Sequence, residues 1–303
     1  MAVLDAEVLR QVRRLEIRTR RAVAEAMAGG YVSVFRGAGI EFDEVREYVP
    51  GDDVRSIDWN VTARHGRPFV KKYVEERELT LLFVVDRSPS MDFGSVRRTK
   101  EDTATEFAVL LSIAAIRHHD KVGLVLFGRG EGRFVPARKG FRHALRVVAE
   151  LASPPGASPS TRGPGAGGGI AGALDFLGKV FRRRAIVFLV SDFLEERFAR
   201  SLAVASRRHD LVAVRVLDPR EETLPAISPL LLEDPETGEV LALDASDPAV
   251  RAEYERRSRE RRARFEETTA RAGVDRMELR TDRPVIDPVL EFFRRRERRG
   301  ARE

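Results

Sequence analysis

The chain has 303 residues, 43% of them hydrophobic and 34% charged, which is enough apolar material for one large domain, or a main domain with a smaller one, and too much for a disordered chain. Lys and Arg (54) exceed Asp and Glu (48) by only six, a surplus too small to imply nucleic-acid binding. No cysteine is present, which excludes disulfides, thiolate zinc sites and cysteine nucleophiles and makes the cytoplasm the expected compartment.

Residues 3–28 carry apolar side chains at helical spacing (Val3, Leu4, Val8, Leu9, Val12, Leu15, Ile17) and predict a helix within an N-terminal segment 1–30, stopped by Gly29-Gly30. Interspersed Arg and Glu argue against a signal peptide, and no run reaches the roughly 18 uncharged apolar residues that a membrane span needs. Residues 31–78 read as a small, irregular, partly β module. In it Tyr31-Val32-Ser33-Val34-Phe35 alternates like a strand, while Gly37-Ala38-Gly39 and Pro50-Gly51-Asp52-Asp53 form turns.

From 79 to 303, apolar strands alternate with amphipathic helices. The strands cover 79–85, 122–127, 185–190 and 211–217, and the helices cover about 99–118, 140–151, 170–182 and 195–208. Because each strand is almost continuously apolar, helices should cover both faces of the sheet. The expected fold class is therefore α/β, a doubly wound and mainly parallel sheet. Phe134-Val135-Pro136 adds an edge strand, and residues 153–169, rich in Pro, Gly and Ser, predict a long flexible loop at the carboxyl edge of the sheet. Further on, Leu230-Leu231-Leu232 and Val240-Leu241-Ala242-Leu243 flank Pro235-Glu236-Thr237-Gly238 as a hairpin. A long Arg/Glu helix over 248–272, a strand at 277–279 and a terminal helix from 288 complete the chain.

Ligands of open α/β sheets bind at the carboxyl ends of strands, near the reversal of strand order. Two carboxylates stand at such ends, Asp86 in Asp86-Arg87-Ser88-Pro89-Ser90 and Asp192 in Val190-Ser191-Asp192-Phe193. Asp86, Ser88, Ser90 and Asp192 are hard oxygen donors suited to Mg²⁺ or Mn²⁺, directly or through water. The competing reading is an ordinary strand-to-helix turn in which Asp and Ser satisfy backbone donors.

This pattern resembles the von Willebrand factor A fold, whose metal-ion-dependent adhesion site uses Asp-x-Ser-x-Ser with a distal Thr and Asp. Residues 37–60, which include Arg46-Glu47-Tyr48-Val49-Pro50-Gly51-Asp52-Asp53-Val54-Arg55-Ser56-Ile57-Asp58-Trp59-Asn60, resemble the signature of the bacterial family called domain of unknown function fifty-eight. Val61-Thr62-Ala63-Arg64, Val70-Lys71 and Met91-Asp92-Phe93-Gly94 continue it. The resemblance implies a protein-interaction module in which a partner carboxylate completes the metal shell, and an adaptor acting with a MoxR-type AAA ATPase or another von Willebrand A protein. No enzymatic activity is implied. Where such relatives often read Thr-Asp-Leu, this chain has Gly168-Gly169-Ile170, so the distal Thr is missing there; Thr161 is the hydroxyl that could replace it.

Asp52, Asp53, Arg55, Asp58, Trp59, Arg64 and Lys71 suggest two readings. One is a binding or catalytic surface, in which Asp52, Asp53 and Asp58 would serve a metal-dependent hydrolase or phosphoryl-transfer enzyme. The other, which the composition favours, is an ion-pair lattice bracing the small module, with Trp59 as its apolar anchor. The Gly163 to Gly169 run lacks the Gly-Lys-Ser/Thr ending of a phosphate loop, and the five histidines show no zinc spacing. Arg256-Arg257, Arg261-Arg262 and Arg294-Arg295-Arg296 invite a nucleic-acid reading. The Glu residues interleaved over 253–267 point instead to a solvated helix laced by i,i+4 pairs.

Overall fold

The computed structural model describes residues 41–74, 78–130, 132–153, 161–164 and 168–300. The expected N-terminal helix, its Gly29-Gly30 stop, the strand at 31–35 and most of the Pro/Gly-rich loop lie outside the described residues. The chain divides into two compact units, with Phe35–Leu79 forming the smaller and Thr80–Glu303 lying in the larger.

In the smaller unit, β1 (Glu41–Glu47) pairs antiparallel with β2 (Phe69–Val74), and Glu47 stands opposite Phe69. The charged segment between them builds turns. Asp52 accepts both guanidinium nitrogens of Arg46, at 2.6 and 2.8 Å, and the Val49 amide at 2.9 Å. The Arg46 hydrogen bond, followed by that of Val49, holds the Asp52 carboxyl below the usual range. Asp58 caps α1 (Trp59–His65) by accepting from the amides of Asn60 and Val61, and Gly66, at φ +68°, ends it. Trp59 corrects the expectation of an apolar anchor. It is 67% exposed, because it is the first residue of a seven-residue helix that buries none of its side chains.

The larger unit is a seven-stranded sheet. It contains β3 (Thr80–Asp86), β4 (Lys121–Phe127), β5 (Arg133–Arg138), β6 (Thr161–Arg162), β7 (Ile186–Ser191), β8 (Asp210–Leu217) and, later in the chain, β11 (Asp275–Arg280). Their spatial order is β11-β8-β7-β3-β4-β5-β6, with β11, β8, β7, β3 and β4 parallel and β5 antiparallel to β4. The two-residue β6 pairs with the outer side of β5, so β5 is not the edge strand its short apolar run predicts. The separate hairpin is β9 (Leu230–Glu233) with β10 (Val240–Leu243).

The helices are α2 (Lys100–Arg117), α3 (Phe141–Ala152), α4 (Gly169–Val180), α5 (Ala199–Arg208), α6 (Pro248–Arg271) and α7 (Ile286–Gly300). Strand side chains alternate between the faces. Leu82 and Val84 therefore join Val187, Leu189, Ile170, Leu174 and Leu202 in one core. On the other face Phe83 stacks on Phe188 at 5.7 Å, and Phe107 of α2 meets both rings edge-on. All three rings are fully buried, and each contributes roughly 2–3 kcal/mol of apolar transfer. The helix predicted over 195–208 begins only at Ala199, because residues 192–195 are held in hydrogen bonds at the site described next. No helix among the described residues is long and apolar enough to cross a membrane.

Candidate functional site

The chain leaves β3 on α2 toward β4 on one side, whereas β7 lies on the other. The carboxyl ends of β3 and β7 thus flank the point where strand order reverses. Asp86 is the last residue of β3, Ser191 is the last residue of β7, and Asp192 follows directly after it. Ser191 donates its hydroxyl to Asp86 Oδ2 at 2.6 Å, and the Ser88 amide donates to Oδ1 at 2.9 Å. Ser88 and Ser90 bring their hydroxyl oxygens within 3.1 Å of each other. All four predicted donors, Asp86, Ser88, Ser90 and Asp192, line one open cavity of about 890 Å³.

The intervening loop residues serve the fold. Arg87 is buried, donates to the Ser153 carbonyl at 2.7 Å and pairs with Glu101, while Met91 is completely buried beneath the turn Pro89–Asp92. Gly128 closes the loop from the β4 side. Its φ is +100°, and a Cβ there would lie 2.5 Å from the Ser88 amide nitrogen and 2.7 Å from Asp86 Oδ1. Only glycine admits that approach without displacing the loop.

Electrostatics set the character of the site. Burial, then the neighbouring Asp192 carboxylate, raises the Asp86 pKa to about 6 against the hydrogen bonds of Ser191 and Ser88. Asp192 is 4% exposed and ion-paired to Lys100, whose ammonium is completely buried, at 2.8 Å; Lys100 also meets Glu221 at 2.5 Å. Burial works against the Lys100 charge, but Asp192 and Glu221 outweigh it and the pKa is raised. Lys100 thus answers two carboxylates, while among the described residues no cation is ion-paired to Asp86. Carboxylates outnumber guanidinium groups along the cavity wall.

The remaining predicted positions are placed elsewhere. Gly168 is exposed, and where the Thr was expected Glu195 accepts the Ile170 amide at 2.7 Å. A Cβ on Gly169 would lie 2.2 Å from that carboxylate, so the glycine makes room for it. The side chains of Thr161, Arg55 and Lys71 lie outside the described residues; Lys71 stands opposite Val45 in the β1–β2 ladder. Within the smaller unit, Tyr48 bonds its amide to the Pro68 carbonyl, Gly51 turns at φ +113°, and the Asp53 carbonyl accepts the Ser56 amide and hydroxyl. Asp52 and Asp58 hold a turn and a helix start, and Arg64 is exposed in the last turn of α1. Among the described residues no three His, Asp or Glu side chains are grouped to hold a metal without the hydroxyls.

Many of the C-terminal arginines are engaged in ion pairs within the chain. Arg256, Arg257, Arg262 and Arg271 pair with Glu residues three or four positions away, and Arg296 of α7 clamps Asp210 and Asp275 at the strand starts of β8 and β11.

Several site residues were missed in the sequence. Ser191 sits inside a quoted motif, and Lys100 carries a signal in hindsight, since a lysine in the first turn opposes the helix dipole and needs a reason. Arg215 carries a stronger one, an arginine inside the apolar run Leu211-Val212-Ala213-Val214-Arg215-Val216-Leu217. Glu236, which accepts the Ser90 amide at 3.1 Å, carries none.

Comparison with known proteins shows which family the chain belongs to. Uncharacterized proteins of Mycobacterium bovis and Mycobacterium tuberculosis are 34% identical over 298 residues, which cover 98% of this chain and 92% of theirs. Among solved structures, an aerotolerance-related membrane protein from Bacteroides fragilis matches at TM-score 0.47 and 14% identity, over 73% of this chain and 99% of its own. The PilB minor pilin from Streptococcus sanguinis matches at 0.36 and 12%, over 77% and 65%. The family described as "Protein of unknown function DUF58" matches residues 44–264, a span that takes in the Arg46 to Lys71 segment and the whole Asp86 to Asp192 site, and the chain belongs to it.

Proposed function

We propose that the chain is a non-catalytic adaptor with a von Willebrand factor A-like fold. Asp86, Ser88, Ser90 and Asp192 hold Mg²⁺ or Mn²⁺ and offer it to a carboxylate of a protein partner. The family resemblance supports a MoxR-type AAA ATPase as that partner and a role in assembly or activation of a protein complex.

The observation that carries the reading is the uncompensated charge of the Asp86 carboxyl, buried beside Asp192 at the switch point of the sheet. A divalent cation would supply the missing counter-charge. The hydroxyl spacing fits as well. Neighbouring oxygens around an octahedral ion with bonds near 2.1 Å stand about 3 Å apart, and Ser88 Oγ and Ser90 Oγ are 3.1 Å apart. Asp192 has both oxygens engaged, by Lys100 and by the Leu194 amide at 3.2 Å, and contributes mainly charge. With the two-residue β6 left aside, the sheet order read in chain sequence is 6-5-4-1-2-3 with the third strand antiparallel, which supports the fold assignment.

Titration of the chain with MnCl₂ in a calorimeter tests the ion, with Asp86→Ala as the comparison and circular dichroism as the check on folding. Saturable binding that disappears in Asp86→Ala is expected, together with chelator-sensitive capture of a MoxR-type ATPase. Absence of Mn²⁺ binding by the folded wild type would end this reading.

A further inference from the structure

Arg215 lies on β8 in register with Ser191 of β7, and it lines the same cavity as Asp86. It is 4% exposed, and its guanidinium carbon lies 5.7 Å from the centre of the Phe265 ring. Among the described residues no hydrogen bond or ion pair to this guanidinium is present, and its Nε is buried without a partner. The carboxylates whose charge acts on it are committed elsewhere. Glu221 pairs with Lys100 at 2.5 Å, Glu222 with Arg280, and Glu278 with Arg262 at 3.5 Å. Burial accordingly lowers the Arg215 pKa, and the attraction of these engaged carboxylates does not make up for it.

A buried guanidinium without a counter-ion is one of the costliest groups a core can hold, and packing alone does not explain its retention. The helix facing it adds donors. Tyr254, Ser258 and Arg261 recur at i, i+4 and i+7 on α6 and line the cavity on one face, with Phe265 continuing the stripe beneath Arg215. Ser258 is buried, and Tyr254 is fixed by donating to the Arg220 carbonyl at 3.0 Å. The fork of an arginine matches the paired oxygens of a carboxylate or phosphate.

We propose that Arg215, with Ser258 and Arg261, forms an oxyanion-binding subsite in this cavity, separate from the Asp86 loop. The group it accepts is a carboxylate or phosphate carried by the ligand. Glu233, Asp234, Glu236 and Glu239 line the cavity on the hairpin side and repel a free polyanion, so the subsite selects a single oxyanion on a neutral or cationic body.

The test is calorimetric titration of the full chain, in EDTA, with N-acetylglycine in one arm and inorganic phosphate in the other. Saturable binding of at least one probe is expected, weakened at least tenfold in Arg215→Gln and unchanged in Arg294→Gln, whose arginine is exposed on α7. Tighter N-acetylglycine assigns the subsite to carboxylates and tighter phosphate to phosphoryl groups. If Arg215→Gln does not fold, Arg215→Met keeps the apolar contact with Phe265, and the probe should then raise the melting temperature of wild type but not of that variant. No saturable binding of either probe, or binding that survives loss of Arg215, overturns the proposal. The chelator keeps this outcome independent of the ion at Asp86.

Discussion

Glu236, in the turn between β9 and β10, accepts a hydrogen bond from the backbone amide of Ser90 at 3.1 Å, although 146 residues separate the two. The turn that presents it is itself braced, with the Glu236 amide on Asp234 Oδ1 at 2.9 Å and the Gly238 amide on the Asp234 carbonyl at 2.7 Å. The chain thus lays one of its own carboxylates against the loop that carries Asp86, Ser88 and Ser90, on the face where the adaptor reading puts a partner's carboxylate.

Removing that carboxylate should loosen the loop. Glu236→Ala is expected to cost about 1 kcal/mol, the net worth of one partly buried hydrogen bond, and Glu236→Gln, which keeps an acceptor, less than half of that. Hydrogen exchange gives the site-specific readout. The Ser90 amide should exchange faster in Glu236→Ala and near the wild-type rate in Glu236→Gln. An unchanged Ser90 rate in the alanine variant would show that the hairpin does not hold the loop in solution.

Lys100 should be the most sensitive single position of the site. Its ammonium is completely buried between Asp192 and Glu221, so Lys100→Met leaves two carboxylates without their cation, a loss of about 3–5 kcal/mol. The sign with pH follows from the raised lysine pKa. Its stabilisation is complete below the unfolded value near 10.5 and is lost as pH rises through the folded one. Adding Asp192→Asn to Lys100→Met should return part of the stability, since one uncompensated charge then goes. Urea unfolding at pH 7 decides the matter, and a single variant within 1 kcal/mol of wild type would refute it.

The legible parts of this molecule are those whose physics is local. β3, β4, β7 and β8 are buried on both faces, so Leu81 to Val85 and their counterparts are written as unbroken apolar runs, and the carboxylates directly after them stand at the carboxyl edge where ligands bind. The hairpin is announced by its Pro-Glu-Thr-Gly turn. What stayed hidden depends on tertiary position. Lys100 reads as one more charge at a helix start until Asp192 and Glu221 close over it. β6 is two residues in a Pro/Gly-rich stretch and exists because β5 offers it an edge. Trp59 misled because an only tryptophan suggests a core, whereas the Asp58 cap starts a helix there and the ring remains exposed.

Two glycines separate contact from backbone strain. Gly128 and Gly130 both have positive φ, +100° and +52°, but a Cβ on Gly128 would strike the Ser88 amide and Asp86, whereas nothing lies within 4 Å of one on Gly130. Gly130→Ala should therefore cost only the left-handed penalty, about 1–2 kcal/mol, and leave Mn²⁺ binding intact. Gly128→Ala should cost more than that and abolish Mn²⁺ binding by displacing the loop. Equal Mn²⁺ affinity in the two variants would mean that the tight approach of Gly128 does not matter to the site.

Acid should act on this fold in two opposite ways. His209 is 3% exposed with both ring nitrogens unpartnered, and burial, then Arg208 and Arg184, lowers its pKa to about 4. The unfolded chain takes up that proton near pH 6.5 and the folded one does not, so stability falls between pH 6.5 and 4, by about 3 kcal/mol when complete. Asp86 runs the other way. Its raised pKa, about 6, penalises the folded state above that pH, and the penalty of about 3 kcal/mol is relieved as pH falls toward the unfolded value of 3.8. In EDTA, His209→Phe, with Phe181 beside it at 6.2 Å, should gain on wild type as pH drops from 7 to 4.5. Asp86→Asn should be more stable than wild type at pH 7 and lose that advantage over the same range. Urea unfolding at four pH values measures both, and curves that run parallel to wild type would show that neither group is buried in the charge state the structure assigns.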